Sequence, residues 1–125
     1  MKEVVSTTEA PAAVGAYSQA IRANGLVFTA GQIPLTPDGD LLEGTIEEQT
    51  QQCLENVEAI LEEAGTGLDN VVKVTVFLDD IDDFDEMNET YSTYFDEDPP
   101  ARSAVEAGNL PKGVGLEIEA VAVVD

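Results

Sequence analysis

Apolar and polar positions alternate along residues 71–78, VVKVTVFL, so that Val72, Val74, Val76 and Leu78 line one face of a predicted strand and Lys73, Thr75 and Phe77 the other. LEIEAVAVV (116–124) alternates in the same way, with Glu117, Glu119, Val121 and Val123 sharing a face, and ARSAVEA (101–107) sets Arg102, Ala104 and Glu106 on one face of a further strand. Nearer the start, VGAYSQAIRANGLVFTAGQIP (14–34) reads as an extended entry and then two strands joined at Ala23-Asn24-Gly25, because Asn-Gly supplies the positive φ angles of a two-residue hairpin. TPDGD (36–40) marks another turn, and GNLPKGVG (108–115) is the loop between the last two strands.

Elsewhere the period changes to that of a helix. Ile46, Thr50, Cys53, Val57, Ile60, Leu61 and Ala64 form one stripe behind Thr45, whose partner Glu48 three residues on completes a capping box, and Gly65 stops the helix. A second helix, capped by aspartate, turns Phe84, Met87, Tyr91 and Tyr94 or Phe95 inward, and Pro99-Pro100 ends it. With no linker or repeat dividing the chain, residues 1–125 read as one α+β domain, a six-stranded mixed sheet with two helices on one face. The other face, carrying Lys73, Thr75, Phe77, Arg102, Ala104, Glu106, Glu117, Glu119, Val121 and Val123, is too apolar for water and too polar for a monomer core. A homo-oligomeric interface accounts for that mixture and protects the edge strands.

Charge alters this picture in one respect. The chain has 26 acidic residues, five basic ones and no histidine, a net charge of -21 whose self-repulsion calls for salt, so it reads as an acidic protein adapted to a salt-loaded, halophilic cytoplasm. Such a balance argues against nucleic-acid binding, which needs clustered lysine and arginine. The acid run LDDIDDFDEMNE (78–89) lacks the glycine and ligand spacing of a calcium loop and reads as a solvated helix face. AVAVV (120–124) is too short to span a bilayer and MKEVVSTTEA lacks the apolar stretch of a signal peptide, so a soluble, cytoplasmic protein is expected. The single Cys53 reads as an inert core thiol.

The missing residue types narrow the chemistry. Without histidine there is no Ser-His-Asp or Cys-His pair and no histidine-containing zinc site, and no phosphate-binding glycine loop or dinucleotide fingerprint is present. Arg102, among small side chains, presents a planar fork for a carboxylate, or else is paired with Glu106 or Glu117. Glu117 and Glu119 share a face, which raises at least one pKa as proton transfer requires, unless they are ordinary strand-end charges. Tyr17 either orients a substrate or covers the sheet edge; Asn88, unusual mid-helix, is either hydrogen-bonded or merely exposed; Gly31 either admits a ligand to the backbone or serves a bulge. Arginine, carboxylates, hydroxyls and backbone amides suffice to bind a small carboxylate and to move protons to or from water.

In order, APAAVGAYSQAI, FTAGQIPLTPDG, QCLENVEAILEEAG, VVKVTVFLDDIDDFDEMNETY, PPARSAVEAGNLPKG and LEIEAVAVV resemble the Rid/YjgF family over about residues 7–124, most closely its reactive intermediate deaminase A (RidA) subfamily. The resemblance implies a chorismate-mutase-like (YjgF-like) fold, assembled as a homotrimer with sites in the clefts between subunits. It also implies cofactor-free, metal-free hydrolysis of enamines and imines such as 2-aminoacrylate and 2-iminobutanoate to 2-oxo acids and ammonia. On that basis Arg102 is the carboxylate-binding arginine, Glu117 activates water, Tyr17 and Asn88 belong to the site, and Gly31 and the strand backbone at Ala104 lie against the substrate. Relatives often carry cysteine where Ala104 stands, so any thiol chemistry there is absent. The alternative is a non-catalytic small-carboxylate sensor or chaperone-like trimer using the same cleft, with ribonuclease activity disfavoured by the scarcity of basic residues.

Overall fold

At the expected hairpin, Asn24 and Gly25 take φ angles of 52° and 76°, the left-handed pair that matches strand twist. In the computed structural model, which describes Met1–Asp125, this hairpin joins β2 (Ala20–Ala23) to β3 (Leu26–Thr29). The remaining strands are β1 (Glu3–Val5), β4 (Val71–Leu78), β5 (Ala101–Glu106) and β6 (Leu116–Val123). They form one six-stranded mixed sheet in the order β1-β2-β3-β6-β4-β5, antiparallel except for the parallel β4–β5 pair, whose crossover runs through α2 (Phe84–Ser92). β1 is the strand that periodicity did not locate: it has three residues, of which only Val5 is buried.

α1 (Ile46–Glu63) opens on the expected capping box, in which the Glu48 amide donates to Thr45 Oγ1 (3.1 Å) and the Thr45 amide to Glu48 Oε1 (3.0 Å). Gly65, at φ 92°, turns the chain away after it. The helix buries Thr50, Cys53, Leu54, Val57, Ile60 and Leu61 against Val27, Val74, Val76, Leu116, Ile118 and Ala122 of the sheet. Each large side chain removed from water there contributes about 1.5–3 kcal/mol. α2 adds Met87 and Tyr91, and Phe95 just beyond it lies 4.7 Å from the Tyr91 ring. Burial holds the Cys53 thiol above its usual range, with Glu117 adding to the shift. No helix is long and apolar enough to cross a membrane.

Two face assignments read from alternation are corrected by strand register. A shift between Val71 and Lys73 pairs them with Ala122 and Val121, so Val71 turns inward (7% exposed) and Val72 outward (45% exposed). On β5, Arg102 pairs with Val74, Ala104 with Val76 and Glu106 with Leu78, which puts all three on the helix-covered face. Small residues occupy both sides of ARSAVE, so alternation could not orient it; the crossover through α2 does. The open face instead carries Lys73, Thr75, Phe77, Glu117, Glu119, Val121 and Val123 as expected, with Phe28, Ser103 and Val105 beside them.

Candidate active site

Register places Glu117 opposite Phe77, at the end of β6 where Gln32 bridges to Ile118 and brings Gly31 alongside. A Cβ at Gly31 would collide with the Glu117 side chain, standing 2.8 Å from its Cδ, so glycine leaves the seat in which the carboxyl rests. The carboxyl is raised above its usual range, first by burial and then by Glu119. Both features belong to a cavity of about 620 Å³ whose lining includes Tyr17, Gln19, Gly31, Lys112 and Glu117. Tyr17 is 54% exposed, and its hydroxyl accepts from the Val14 amide at 3.3 Å, folding the entry loop over the mouth.

Two buried amides that carry no sequence motif hold the segments lining the cavity, Gln19 from within the lining and Asn56 from behind Ile33 and Leu35. Gln19 Nε2 donates to the Pro11 (2.7 Å) and Thr7 (3.0 Å) carbonyls while its Oε1 accepts from the Thr7 amide (2.7 Å), which ties down the entry segment. Asn56, on the buried side of α1, donates to the Leu35 carbonyl at 2.9 Å and anchors the segment that follows Gly31. Such groups are stable inside only when fully bonded, and here each substitutes for secondary structure in a loop. A second polar residue beside Thr50 on the buried helical stripe is the available signal for Asn56; nothing in the sequence marks Gln19. Lys112, at φ 58° in the tight turn Pro111–Gly113, was also not singled out, although it brings a cation to the cavity.

Arg102 stands elsewhere. Its Nη1 donates to Asn88 Oδ1 at 2.7 Å, and its guanidinium carbon lies 4.7 Å from the Tyr91 ring centre and 5.3 Å from that of Phe84. Neither suspected carboxylate pairs with it: Glu106 accepts from the Ile81 amide, and Glu117 faces the other side of the sheet. Asn88 is therefore the hydrogen-bonded residue that its mid-helix position suggested, and Ala104 lies on the same face as Arg102, packed against the core. The structure thus gathers the six candidate residues into two groups on opposite faces, Tyr17, Gly31 and Glu117 in the cavity and Arg102, Asn88 and Ala104 under α2. One group offers a carboxyl poised for proton transfer, and the other an arginine whose charge no carboxylate has neutralised.

Residues 7–124 match the family model described as Endoribonuclease L-PSP. Over 122 residues the chain is 55% identical to a RutC family protein of Pyrococcus abyssi, covering 97% of this chain and 96% of that protein. It is 48% identical to the 2-iminobutanoate/2-iminopropanoate deaminase of Rattus norvegicus, covering 98% of this chain and 90% of the relative. Among solved structures, E. coli TdcF with bound serine superposes at a TM-score of 0.94 and 40% identity, over 98% of this chain and 99% of that one. With sequence match and fold agreeing over almost the whole length, the chain belongs to the Rid/YjgF family.

Proposed function

We propose that the protein hydrolyses 2-iminobutanoate, 2-iminopropanoate and their enamine tautomers to 2-oxo acids and ammonia, in clefts between the subunits of a homotrimer. The observation that carries this reading is the Glu117 carboxyl seated over Gly31 in a cavity, with burial and Glu119 raising its pKa. Arg102 of one subunit grips the substrate carboxylate, and Glu117 of its neighbour takes a proton from water as the oxygen attacks the imine carbon. Attack on the protonated imine leaves a tetrahedral carbon bearing hydroxyl and amine; Glu117 returns its proton to nitrogen, the C–N bond breaks with ammonia leaving, and the hydroxyl gives up its proton to Glu117 as the carbonyl forms. The open sheet face, with Phe28, Val121, Val123 and Val105, is the surface on which the copies meet.

Support comes from the activity named for the rat relative and from serine, an α-amino acid with the same carboxylate, bound to the E. coli one. An endoribonuclease reading fits poorly, because the net charge is -21 and Arg22 commits one donor each to the Ala64 and Asp125 backbone oxygens. The test is 2-oxobutanoate formation from 2-iminobutanoate, made in place by a threonine dehydratase with semicarbazide as competing trap, at about 1 M KCl. Acceleration is expected; a folded oligomer that binds 2-oxobutanoate without acceleration is a sensor.

Two further outcomes follow from Glu117. Gly31→Ala keeps an allowed backbone, since only the flexible end of Glu117 must shift. Its melting temperature should stay within a few degrees of the parent while the rate falls at least about tenfold, because a displaced base no longer reaches its water. Water activation needs the carboxylate form, so kcat/KM should climb with pH through a midpoint above the ordinary glutamate value of about 4.3. Glu119→Gln removes the like charge, the smaller of the two causes, and should move that limb to lower pH; an unmoved limb would mean that burial alone raises it. The stability effect has the opposite sign. The folded state binds the Glu117 proton more tightly, so this group's contribution is intact below the ordinary value and is lost as pH rises through the raised one.

A further inference from the structure

Arginine charge is scarce in this chain and carboxylate abundant, so a substrate-binding guanidinium faces many internal competitors. Asp85, Glu86 and Glu89 are exposed on α2, the helix that covers Arg102, yet the guanidinium hydrogen-bonds to none of them. It meets the neutral Oδ1 of Asn88 and the rings of Phe84 and Tyr91, residues at i, i+4 and i+7 that share one side of the helix.

We propose that Phe84 and Tyr91 are positioning residues which, with Asn88, form a cradle that aims Arg102 while leaving its charge free for the substrate carboxylate. The proposal rests on the deaminase reading and extends it. A guanidinium is attracted to the face of an aromatic ring, whereas its N–H donors point outward in its own plane. Ring contacts therefore orient the group without consuming donors, and the single bond to Asn88 leaves four of five for a ligand. A carboxylate at residue 88 would neutralise the charge and occupy the fork. The rings carry the role rather than the Tyr91 hydroxyl, which is buried without a hydrogen-bond partner in a residue only 4% exposed.

The experiment is calorimetric titration of the parent and variants with 2-oxobutanoate in molar KCl, alongside steady-state imine hydrolysis. Tyr91→Leu should weaken binding about tenfold and raise KM with little change in kcat, and Tyr91→Phe should recover the affinity because it restores the ring. Asn88→Asp should weaken binding at least about tenfold through charge neutralisation. Arg102 and Arg22 are the only arginines, so the Arg102 Nε–H signal is identified by its loss in Arg102→Ala; its ring-current shift should shrink in Tyr91→Leu, where only the Phe84 ring remains. A folded Tyr91→Leu with parental affinity overturns the cradle, as does a Tyr91→Phe that loses as much as Tyr91→Leu. Where Tyr91→Leu does not fold, Phe84→Leu and Asn88→Asp decide, and parental affinity in both overturns it. A parent that binds 2-oxobutanoate through Arg102 but hydrolyses no imine ends the deaminase reading and leaves the cradle standing. Active variants with unchanged affinity do the reverse, and a parent that binds no carboxylate ends both.

Discussion

Glu117→Gln is expected to fold, assemble and bind 2-oxobutanoate like the parent, yet to hydrolyse 2-iminobutanoate about 10²- to 10⁴-fold more slowly. Glutamine fills the seat above Gly31 with nearly the same volume, so the cavity keeps its shape. Carboxylate binding is assigned to Arg102, on the other face of the sheet, and is untouched. What disappears is the one group in the cavity able to accept a proton from water at neutral pH, since the amide of glutamine is no base. Relief of a half-buried charge should leave stability equal to or above that of the parent. The semicarbazide competition assay measures the rate and a titration with 2-oxobutanoate the affinity. An undiminished rate would mean that water is activated elsewhere, with Glu119 the next residue to replace.

Mixing two inactive variants should restore activity. On the proposed mechanism Arg102→Ala lacks the carboxylate clamp and Glu117→Gln lacks the base, so in the proposed homotrimer neither variant alone has a complete site. The two groups lie on opposite faces of one sheet, and the proposed intersubunit site joins them across two copies. A mixed trimer then contains one cleft that pairs an intact Arg102 with an intact Glu117. Random assembly of equal amounts leaves about three quarters of the trimers mixed, each with one repaired site of three, so about a quarter of parental activity returns. The variants would be unfolded together, refolded and assayed at constant total protein. Recovery well above the sum of the separate variants supports the shared site; none in verified mixed oligomers would place both groups within one subunit's reach and end the intersubunit model.

Much of the architecture was readable because its signals are local. Asn24-Gly25 makes its turn, Thr45 and Glu48 close their capping box, and Gly65 ends α1, each through chemistry confined to a few neighbouring residues. The resemblance also covered nearly the whole chain, and the family model matches over 7–124. Local pattern fails where pairing partners set orientation. Val72 alternates correctly in sequence but is turned out by the irregularity at Val71/Lys73, and Arg102, which alternation places on the open face, lies beneath α2 because it pairs with Val74. Gln19 was invisible for a related reason, since its partners at Thr7 and Pro11 are bonded through backbone atoms that carry no sequence signature.

By itself the sequence determined which chemistry was available: no histidine, a single arginine set in PARS, and glutamates at alternate positions of LEIEA. It also determined an amphipathic sheet and two amphipathic helices, because periods of two and 3.6 follow from backbone geometry alone. Only the tertiary structure decided the division of labour. The β4–β5 register and the crossover through α2 turned Arg102 toward Asn88 and two rings, while the Gln32–Ile118 bridge set Gly31 beneath the Glu117 carboxyl on the opposite side. Side-chain direction in a strand reverses with every residue of register, and register is fixed by long-range packing rather than by neighbours in sequence.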